Sequence, residues 1–358
     1  ILLVSFGGPE GMDDVMPFLE NVTRGRGIPR ERLEEVAHHY ELYGGVSPIN
    51  AQNRALIAAL RSELDAHGID LPIYFGNRNW NPYLVDAVRE MRDDGVKRAL
   101  AIFTSGFSCY SGCRQYRENI FDAQQAVGPD APEIAKVRMW YNHPRFVAAY
   151  ADILERAVGQ LPESRQFGSA VLFTAHSIPL PMAEASRYAQ QLEEAARLIA
   201  DAAGVGLGRG QLVYQSRSGS PHSPWLEPDV CDRLRELKER GARDVVVLPL
   251  GFVSDHMEVL FDLDEEARAV AEELEMGFVR APALGVHPEF VAMRRELVEE
   301  RLAQGPVARR AVGRWAPSHD TCPVDCCRPG TGKPSPWEPG YAEWQPPAGG
   351  RPGTRPGR

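Results

Sequence analysis

The stretch VVVLPLGFVSDHMEVLFDLDEE, residues 245–266, decides the fold. An apolar strand leads into a turn and then into a helix on which Glu258, Asp262 and Glu266 are spaced four residues apart. Because helical residues four apart share a face, the three carboxylates are predicted to form one row, which we call the acidic ladder. Like charges at this spacing repel one another, so the row does not stabilise the helix. Because it begins beside a strand end, it indicates a path for a hard cation or for protons. A solvated acidic face is the alternative.

A second apolar strand ends at a histidine. In AVLFTAHSIPLP, residues 170–181, the strand stops at His176, and Pro179 and Pro181 prevent it from continuing. Ligands of open parallel sheets bind outside the carboxyl ends of the strands, so His176 and Glu258 are predicted to lie on one rim and to face one cleft. A histidine held by structural contacts is the alternative, and the pairing with carboxylates favours an active site.

Apolar strands alternate with amphipathic helices along most of the chain. The strands are predicted at residues 1–6, 71–75, 98–104, 170–174, 212–215 and 244–250, and the long helices include 53–66, 82–93, 182–203 and 228–240. This alternation is typical of βαβ units. It predicts an α/β fold of two similar Rossmann-like halves, each a parallel sheet flanked by helices, with a cleft between them.

The halves are expected to span residues 1–150 and 151–315, and a last helix at residues 287–305 is expected to pack back on the first half. Residues 316–358 hold three cysteines among many Pro and Gly residues. We expect this tail to be mostly disordered, because such a composition buries little apolar surface.

Composition limits the classes of partner. The net charge of −9 over 358 residues argues against a nucleic-acid partner. The longest apolar runs are less than half of a membrane span, so no transmembrane segment is predicted. The first residues, ILLVSFGGPEG, lack a basic leader and carry too short an apolar run for a signal peptide, so we expect a cytoplasmic location.

Three loops supply candidate substrate contacts. Arg24 and Arg26 lie in ENVTRGRGIP, and Ser47 lies beside a glycine pair in YGGVSP. Arginine forks suit carboxylates, so a substrate with carboxylate arms would find donors here, although solvated loops are the alternative. Trp225, between prolines in QSRSGSPHSPWLEPD, is suited to wall an aromatic ligand or to pack in the core.

Five of the six cysteines fall into two groups, and Cys231 is expected to be a small core residue of a helix. Cys109 and Cys113 lie in SCYSGC, and the remaining three cysteines lie in CPVDCC within the Pro-rich tail. Thiolates grouped in a segment that otherwise cannot fold predict a metal or iron–sulfur site that fixes the tail to the body. Spacing leaves zinc and an iron–sulfur cluster both open, and a grouping of unliganded thiols is the third alternative.

Several of these motifs together resemble ferrochelatase, the family that inserts ferrous iron into a porphyrin. The motifs are FTAHSIP, LPLGFVSDHMEVLFDLD, QSRSGSPHSPWLEPD, YGGVSPINAQNR and FGNRNWNPY, and the resemblance covers residues 2–301 in the expected order. ENVTRGRGIP and SGCRQYREN resemble the actinobacterial branch in particular. The resemblance implies a chelatase-type fold of two halves and insertion of iron into coproporphyrin III to give coproheme. A protoporphyrin IX ferrochelatase and a non-catalytic porphyrin or iron carrier are the alternatives.

The resemblance also assigns site residues. It implies that His176 and Glu258 are catalytic and, with Asp262 and Glu266, contact the ferrous iron substrate, and we expect a neutral His176 imidazole to accept the pyrrole protons. Arg24 and Ser47 match propionate-binding positions, whereas His39 stands where several relatives place an arginine. Phe6 stands where the Bacillus-like branch has a tyrosine that ligates the product iron.

A cofactor and an oligomeric state are implied as well. Many actinobacterial and animal ferrochelatases carry a [2Fe–2S] cluster, and the matching ligands here are Cys113, Cys322, Cys326 and Cys327, with Cys109 as a possible replacement for one of them. The porphyrin and ferrous iron are the expected partners. By resemblance we expect a monomer.

Overall fold

The computed structural model describes residues 1–25, 27–206, 208–218, 223–323 and 325–330. Within them, eight strands form two sheets of four parallel strands each. The first sheet contains β1 (Leu2–Ser5), β2 (Tyr74–Asn77), β3 (Arg98–Phe103) and β4 (Glu133–Lys136). The second sheet contains β5 (Ala170–His176), β6 (Gly210–Gln215), β7 (Asp244–Leu248) and β8 (Gly277–Arg280).

Helices cover both sheets. The α-helices are α1 (Met12–Val22), α2 (Arg30–Glu41), α3 (Ile49–Ala66), α4 (Leu84–Asp93), α5 (Gln115–Val127), α6 (Pro144–Val158), α7 (Glu163–Gln166), α8 (Leu180–Glu184), α9 (Tyr188–Ala202), α10 (Val230–Glu239), α11 (Met257–Val259), α12 (Arg268–Glu273) and α13 (Pro288–Leu302). Two π-helices are π1 (Tyr110–Arg114) and π2 (Leu260–Ala267). Among the described residues, none of the helices is long and apolar enough to span a bilayer.

The two sheets repeat one strand order, β2-β1-β3-β4 in the first and β6-β5-β7-β8 in the second. In each half the second strand pairs with one edge of the first strand, and the third strand pairs with its other edge. The order therefore reverses beside β1 and beside β5, and such reversals are where open α/β sheets bind ligands. The predicted fold class, two similar halves with parallel sheets flanked by helices, is confirmed.

Two strands were missing from the sequence prediction, and both are short. β4 and β8 are four-residue strands at the edges of their sheets. Each contains a basic side chain, Lys136 or Arg280, which is typical of protected edges and conceals the apolar signal.

The helix predicted at residues 182–203 is divided into α8 and α9. Ser186 explains the break, because its hydroxyl donates to the carbonyl of Met182 at 3.0 Å and accepts from the backbone N–H of Tyr188 at 3.4 Å. Such side-chain bonds compete with helix continuation. The break directs the hydroxyl of Tyr188 to the carbonyl of His176 at 3.0 Å.

The largest apolar cluster contains residues of both halves, among them Leu3, Phe173 and Phe290. α13 packs on α3 of the first half and on α6, a helix that contains the predicted boundary between the halves. Arg294 donates to the Phe103 carbonyl at 3.0 Å, and Arg295 pairs with Glu63 at 2.8 Å. The boundaries between residues 150 and 151 and between 315 and 316 remain predictions.

The segment after α13 contacts the first half and also α9, where Arg314 pairs with Glu194 at 2.8 Å. Arg138, buried against Glu300, also donates to the Arg310 carbonyl at 2.8 Å, and the Asn142 amide donates to the Trp315 carbonyl at 2.9 Å. Of the tail, residues 316–323 and 325–330 are described. The predicted disorder of residues 331–358 lies outside the described residues.

Candidate functional site

His176 and Glu258 meet at the strand reversal of the second half. His176 is the last residue of β5, where it pairs with Gln215 of β6, and Glu258 lies in α11, which follows β7. The His176 Nε2 lies 3.7 Å from the Glu258 Oε1. Their side chains are 32% and 46% exposed, so the pair faces an open space rather than a sealed core.

The orientation of the His176 ring is set by the backbone. Its Nδ1 is hydrogen-bonded to the Ser177 carbonyl, which leaves Nε2 directed at Glu258. A proton on Nδ1 is required for that bond, because a carbonyl only accepts. The ring therefore presents Nε2 as the atom that can gain or release a proton.

The charge of Glu258 changes the protonation expected of His176. Burial lowers the pKa of His176, but the charge and hydrogen bond of Glu258 outweigh it and raise the pKa to about 9. Burial raises the pKa of Glu258, and His176 and His256 hold it well below its usual range. The carboxylate beside the ring therefore favours a protonated His176 at pH 7 in the ligand-free protein, and the neutral imidazole stays a prediction for the protein with its substrates bound.

Sequence analysis did not predict a role for His256. Its Nε2 lies 3.4 Å from the Glu258 Oε2, so Glu258 lies between two imidazoles. The signal was present in the motif SDHME, in which His256 precedes Glu258 by two residues. An extended backbone at His256, at the start of α11, brings both side chains to the same rim.

The acidic ladder begins at Glu258 in α11, but Asp262 and Glu266 lie in the π-helix π2 and not in the α-helix that the spacing predicted. The Gln215 amide donates to the Glu258 carbonyl at 3.1 Å, and that carbonyl is the acceptor that Asp262 would use in an α-helix. The wider π2 turn keeps the carboxylates in electrostatic reach, since Glu258 and Glu266 both raise the pKa of Asp262. Local π-helices of this kind are frequent at functional sites.

Asp262 is the carboxylate of the acidic ladder whose pKa lies near 7. Burial, followed by the charges of Glu258 and Glu266, raises its pKa to about 7, although hydrogen bonds from Ser216 and Gln215 oppose the change. Burial and the charge of Asp229 also raise the pKa of Glu266. The ladder can thus hold a cation or exchange a proton at neutral pH.

We expect Asp262→Asn to stabilise the protein at high pH only. The pKa of Asp262 is higher in the folded chain, about 7, than its ordinary value of 3.8, so folding takes up a proton and stability falls as pH rises between these values. The variant does not titrate, so its melting temperature should exceed that of the wild type at pH 8 and approach it at pH 5. Exposed Asp130→Asn is the control, and an equal difference at both pH values would contradict the assignment.

The first half contributes the facing wall. Met257, next to Glu258, packs into the apolar cluster of α1 and α2 with Phe18 and Tyr40. The His39 ring stacks on Phe261 of π2, with centroids 3.5 Å apart and planes 6° apart. The position at which relatives place an arginine is therefore occupied here by a ring that joins the two halves.

Phe6 and Trp225, two further predicted substrate contacts, lie on the loop that follows β1 and on the loop that precedes α10. Phe6 follows β1 and meets Phe18 edge to face at 6.3 Å. Trp225 pairs with Pro179, three residues after His176, and its buried indole Nε1 has no hydrogen-bond partner among the described residues. Both rings are half-buried, as wall residues of a cleft are.

The two propionate candidates differ in environment. Arg24 is exposed in the turn after α1, whereas Ser47 is buried, and a Cβ on Gly8 would lie 2.6 Å from its Cβ. Ser47 is thus packed against the loop that follows β1. Arg26 lies outside the described residues.

A model of the ferrochelatase family matches residues 1–302. The chain belongs to the ferrochelatase family. It is 56% identical over 353 residues to a protein of Rhodopirellula baltica named ferrochelatase, with 98% of this chain and 96% of the relative covered. It is 53% identical over 346 residues to the coproporphyrin III ferrochelatase of Streptomyces coelicolor, with 91% and 92% covered. The solved structure of SirB from Bacillus subtilis with Fe3+ matches the fold alone, with a TM-score of 0.51, 13% identity and coverage of 85% and 96%.

In this ferrochelatase-family chain, three thiols beyond the matched region converge on one thiol within it. Cys113, buried in π1, is hydrogen-bonded to Cys322 and Cys327, and Cys322 is hydrogen-bonded to Cys326. The sulfur atoms of Cys326 and Cys327 are 3.5 Å apart. We call these residues the four-thiol centre.

The four-thiol centre fits a metal group. The hydrogen bond to Cys322 raises the pKa of Cys113, and four thiolates held this close together would need a cation to balance their charge. An all-sulfur donor set is typical of zinc or iron–sulfur sites. Cys109 is not part of this group: its sulfur accepts from the Gly112 N–H at 3.2 Å and contacts Ser111.

Sequence analysis also missed His319, which lies at the exposed side of the four-thiol centre. Its Nε2 is 3.6 Å from the Cys326 sulfur, and the ligand atoms of His319, Cys322 and Cys326 all lie within 4.8 Å of one another. The signal was the segment HDTC, with the histidine three residues before Cys322. Since zinc accepts three cysteines and one histidine, zinc remains an alternative here.

Proposed function

We propose that this protein inserts ferrous iron into coproporphyrin III and forms coproheme. The observation that carries the proposal is the His176–Glu258 pair, which lies on an open rim and begins a line of carboxylates, in a chain of the ferrochelatase family. The Streptomyces coelicolor relative, at 53% identity, is named coproporphyrin III ferrochelatase. The reaction breaks two pyrrole N–H bonds, releases two protons and forms four Fe–N bonds, and iron stays ferrous throughout.

Each residue then has a stated task. His176 Nε2 is the proposed acceptor of a pyrrole proton, and its proton must first move to the ladder or to water because Glu258 keeps the ring charged. A divalent cation at Glu258 would weaken the attraction between this carboxylate and the protonated His176 ring, and so favour the neutral ring. The arrival of iron would thereby promote the removal of the pyrrole protons. Asp262 and Glu266 offer further oxygen ligands along which iron or protons can travel.

The cleft walls are proposed to bind and bend the macrocycle. Phe6 and Trp225 would contact its faces, and Arg24 and Ser47 would bind propionates. Binding energy from the propionates can offset the strain of a puckered ring, in which nitrogen lone pairs point at the metal. Because Phe6 has no ligand atom, the coproheme product would be held by its periphery and not by a bond from residue 6 to iron.

A substrate comparison tests the function. Purified protein, anaerobic ferrous iron and either coproporphyrin III or protoporphyrin IX should give a kcat/KM at least about tenfold higher for coproporphyrin III, because its four propionates outnumber the two of protoporphyrin. Arg24→Ala should lower the ratio of kcat/KM for coproporphyrin III to that for protoporphyrin IX. Arg30→Ala, on the exposed face of α2, should leave this ratio unchanged. Equal rates would favour a protoporphyrin enzyme, and binding without turnover would favour a carrier.

We also propose that Cys113, Cys322, Cys326 and Cys327 hold a [2Fe–2S] cluster. The mutual contacts of the four sulfur atoms and the burial of Cys113, Cys322 and Cys327 support this assignment. Such a cluster would supply a one-electron couple and a cross-link between π1 and the tail. The cytoplasmic location and the monomeric state remain predictions, to be checked by cell fractionation and by sedimentation.

A further inference from the structure

The four-thiol centre touches the loop that carries His176. Gly330, three residues after Cys327, packs against the backbone of α8, where a Cβ would lie 2.3 Å from the Pro181 carbonyl carbon and 2.4 Å from the Met182 nitrogen. A side chain there would clash with backbone atoms that cannot rotate away. Only glycine therefore allows the tail to lie this close to α8.

A second contact reaches α8 from π1, the helix of Cys113. The Ser111 hydroxyl is 3.9 Å from the Met182 sulfur, and the Arg114 guanidinium donates to the Cys326 carbonyl at 3.1 Å. Met182 is thus flanked by both segments that supply thiols. A metal group that bridged the four sulfur atoms would fix the distance between these two segments.

α8 is connected in turn to Trp225, the residue that we assign to the wall of the candidate porphyrin site. The segment between His176 and α8 pairs with the chain around Trp225, through Leu226 N–H to the Ile178 carbonyl at 3.0 Å and Leu180 N–H to the Pro224 carbonyl at 3.0 Å. His176 itself is fixed by its strand pairing with β6. A displacement of α8 should therefore move Trp225 more than it moves His176.

We propose that Gly330 and Met182 transmit the state of the four-thiol centre to the porphyrin wall, so that a filled centre holds Trp225 in its binding position. Gly330 and Met182 act here as positioning residues. The proposal rests on the proposed porphyrin site and cluster. It assigns the centre a role in substrate affinity and not in proton transfer.

The test compares Gly330→Ala with Gly68→Ala. Gly68 also has a positive φ, +69° against +73° for Gly330, but a Cβ there meets nothing within 4 Å. Gly330→Ala should keep the visible absorption of the cluster and raise the Kd for metal-free coproporphyrin III about tenfold, since a small displacement of a binding wall has effects of this size. kcat at saturating porphyrin should change less than about twofold, and Gly68→Ala should keep the wild-type Kd.

Met182→Ala removes the second contact of α8, between the Ser111 hydroxyl and the Met182 sulfur, without changing a thiol, and should also raise the Kd even if Gly330→Ala loses its cluster. Cys327→Ser should raise the Kd, and the double variant Gly330→Ala/Cys327→Ser should be no weaker than Cys327→Ser alone, because both changes remove one link. A wild-type Kd in Met182→Ala, or additive losses in the double variant, would overturn the proposal. Porphyrin binding without iron insertion in the wild type would instead refute the proposed function and leave this link standing.

Discussion

Replacement of His176 by Ala is expected to lower kcat for iron insertion by about 10²–10⁴-fold, the usual contribution of a positioned acid–base group. The Nε2 of His176 points at Glu258 and at the open rim, and its ring is oriented by the Ser177 carbonyl. Nothing else in the described rim except His256 offers an imidazole beside Glu258. The Kd for coproporphyrin III should change little, because the wall residues remain.

The control for this prediction is His67→Ala. His67 lies at the end of α3, where its ring is hydrogen-bonded to the Glu63 carbonyl and is remote in the fold from β5. That variant should keep wild-type turnover. Near-normal turnover in His176→Ala would remove His176 from the proton-accepting role, whereas loss of porphyrin binding would indicate that the ring holds the substrate instead.

The second large effect concerns the four-thiol centre. Replacing Cys113, Cys322, Cys326 or Cys327 singly with Ser should abolish the visible absorption that bleaches with dithionite, because a [2Fe–2S] cluster requires four sulfur ligands in this arrangement. Cys109→Ser and Cys231→Ser should keep it, since Cys109 bonds to the backbone of π1 and Cys231 lies in α10. Absorption and iron content are measured together on protein purified without added metal.

Two outcomes would contradict that assignment. A colourless wild type that contains one zinc would indicate a structural zinc site, with His319 as a candidate ligand. Loss of colour in Cys109→Ser but not in Cys326→Ser would place the partly exposed Cys326 outside the ligand set.

Much of the site could be predicted because the fold itself brings it together. A strand that ends at His176 and a strand that leads to Glu258 converge wherever a parallel sheet reverses its order, so strand ends alone indicated the rim. The carboxylates of the acidic ladder lie near one another although part of the helix is a π-helix, because side chains four residues apart are neighbours in both kinds of helix. Burial and neighbouring charge, which set the pKa of His176, depend on the fold and were not predicted.

The features that could not be predicted depend on contacts between distant segments. The stack of His39 on Phe261 joins α2 to π2 across the halves, and the approach of His319 to Cys326 depends on the path of the tail. No sequence spacing indicates the contact of His39 with Phe261, and the segment HDTC places His319 near Cys322 but does not indicate its contact with Cys326. The short strands β4 and β8 are likewise defined by pairing with β3 and β7 more than by their own composition.

The most direct test of the central claim is a crystal structure of the protein with metal-free coproporphyrin III. We predict a macrocycle in the cleft with a pyrrole nitrogen within about 3.2 Å of the His176 Nε2, or one water away, and with Glu258 facing the ring centre. A porphyrin bound elsewhere, or a ring in the cleft that turns its edge and not its nitrogen atoms toward His176, would contradict the account.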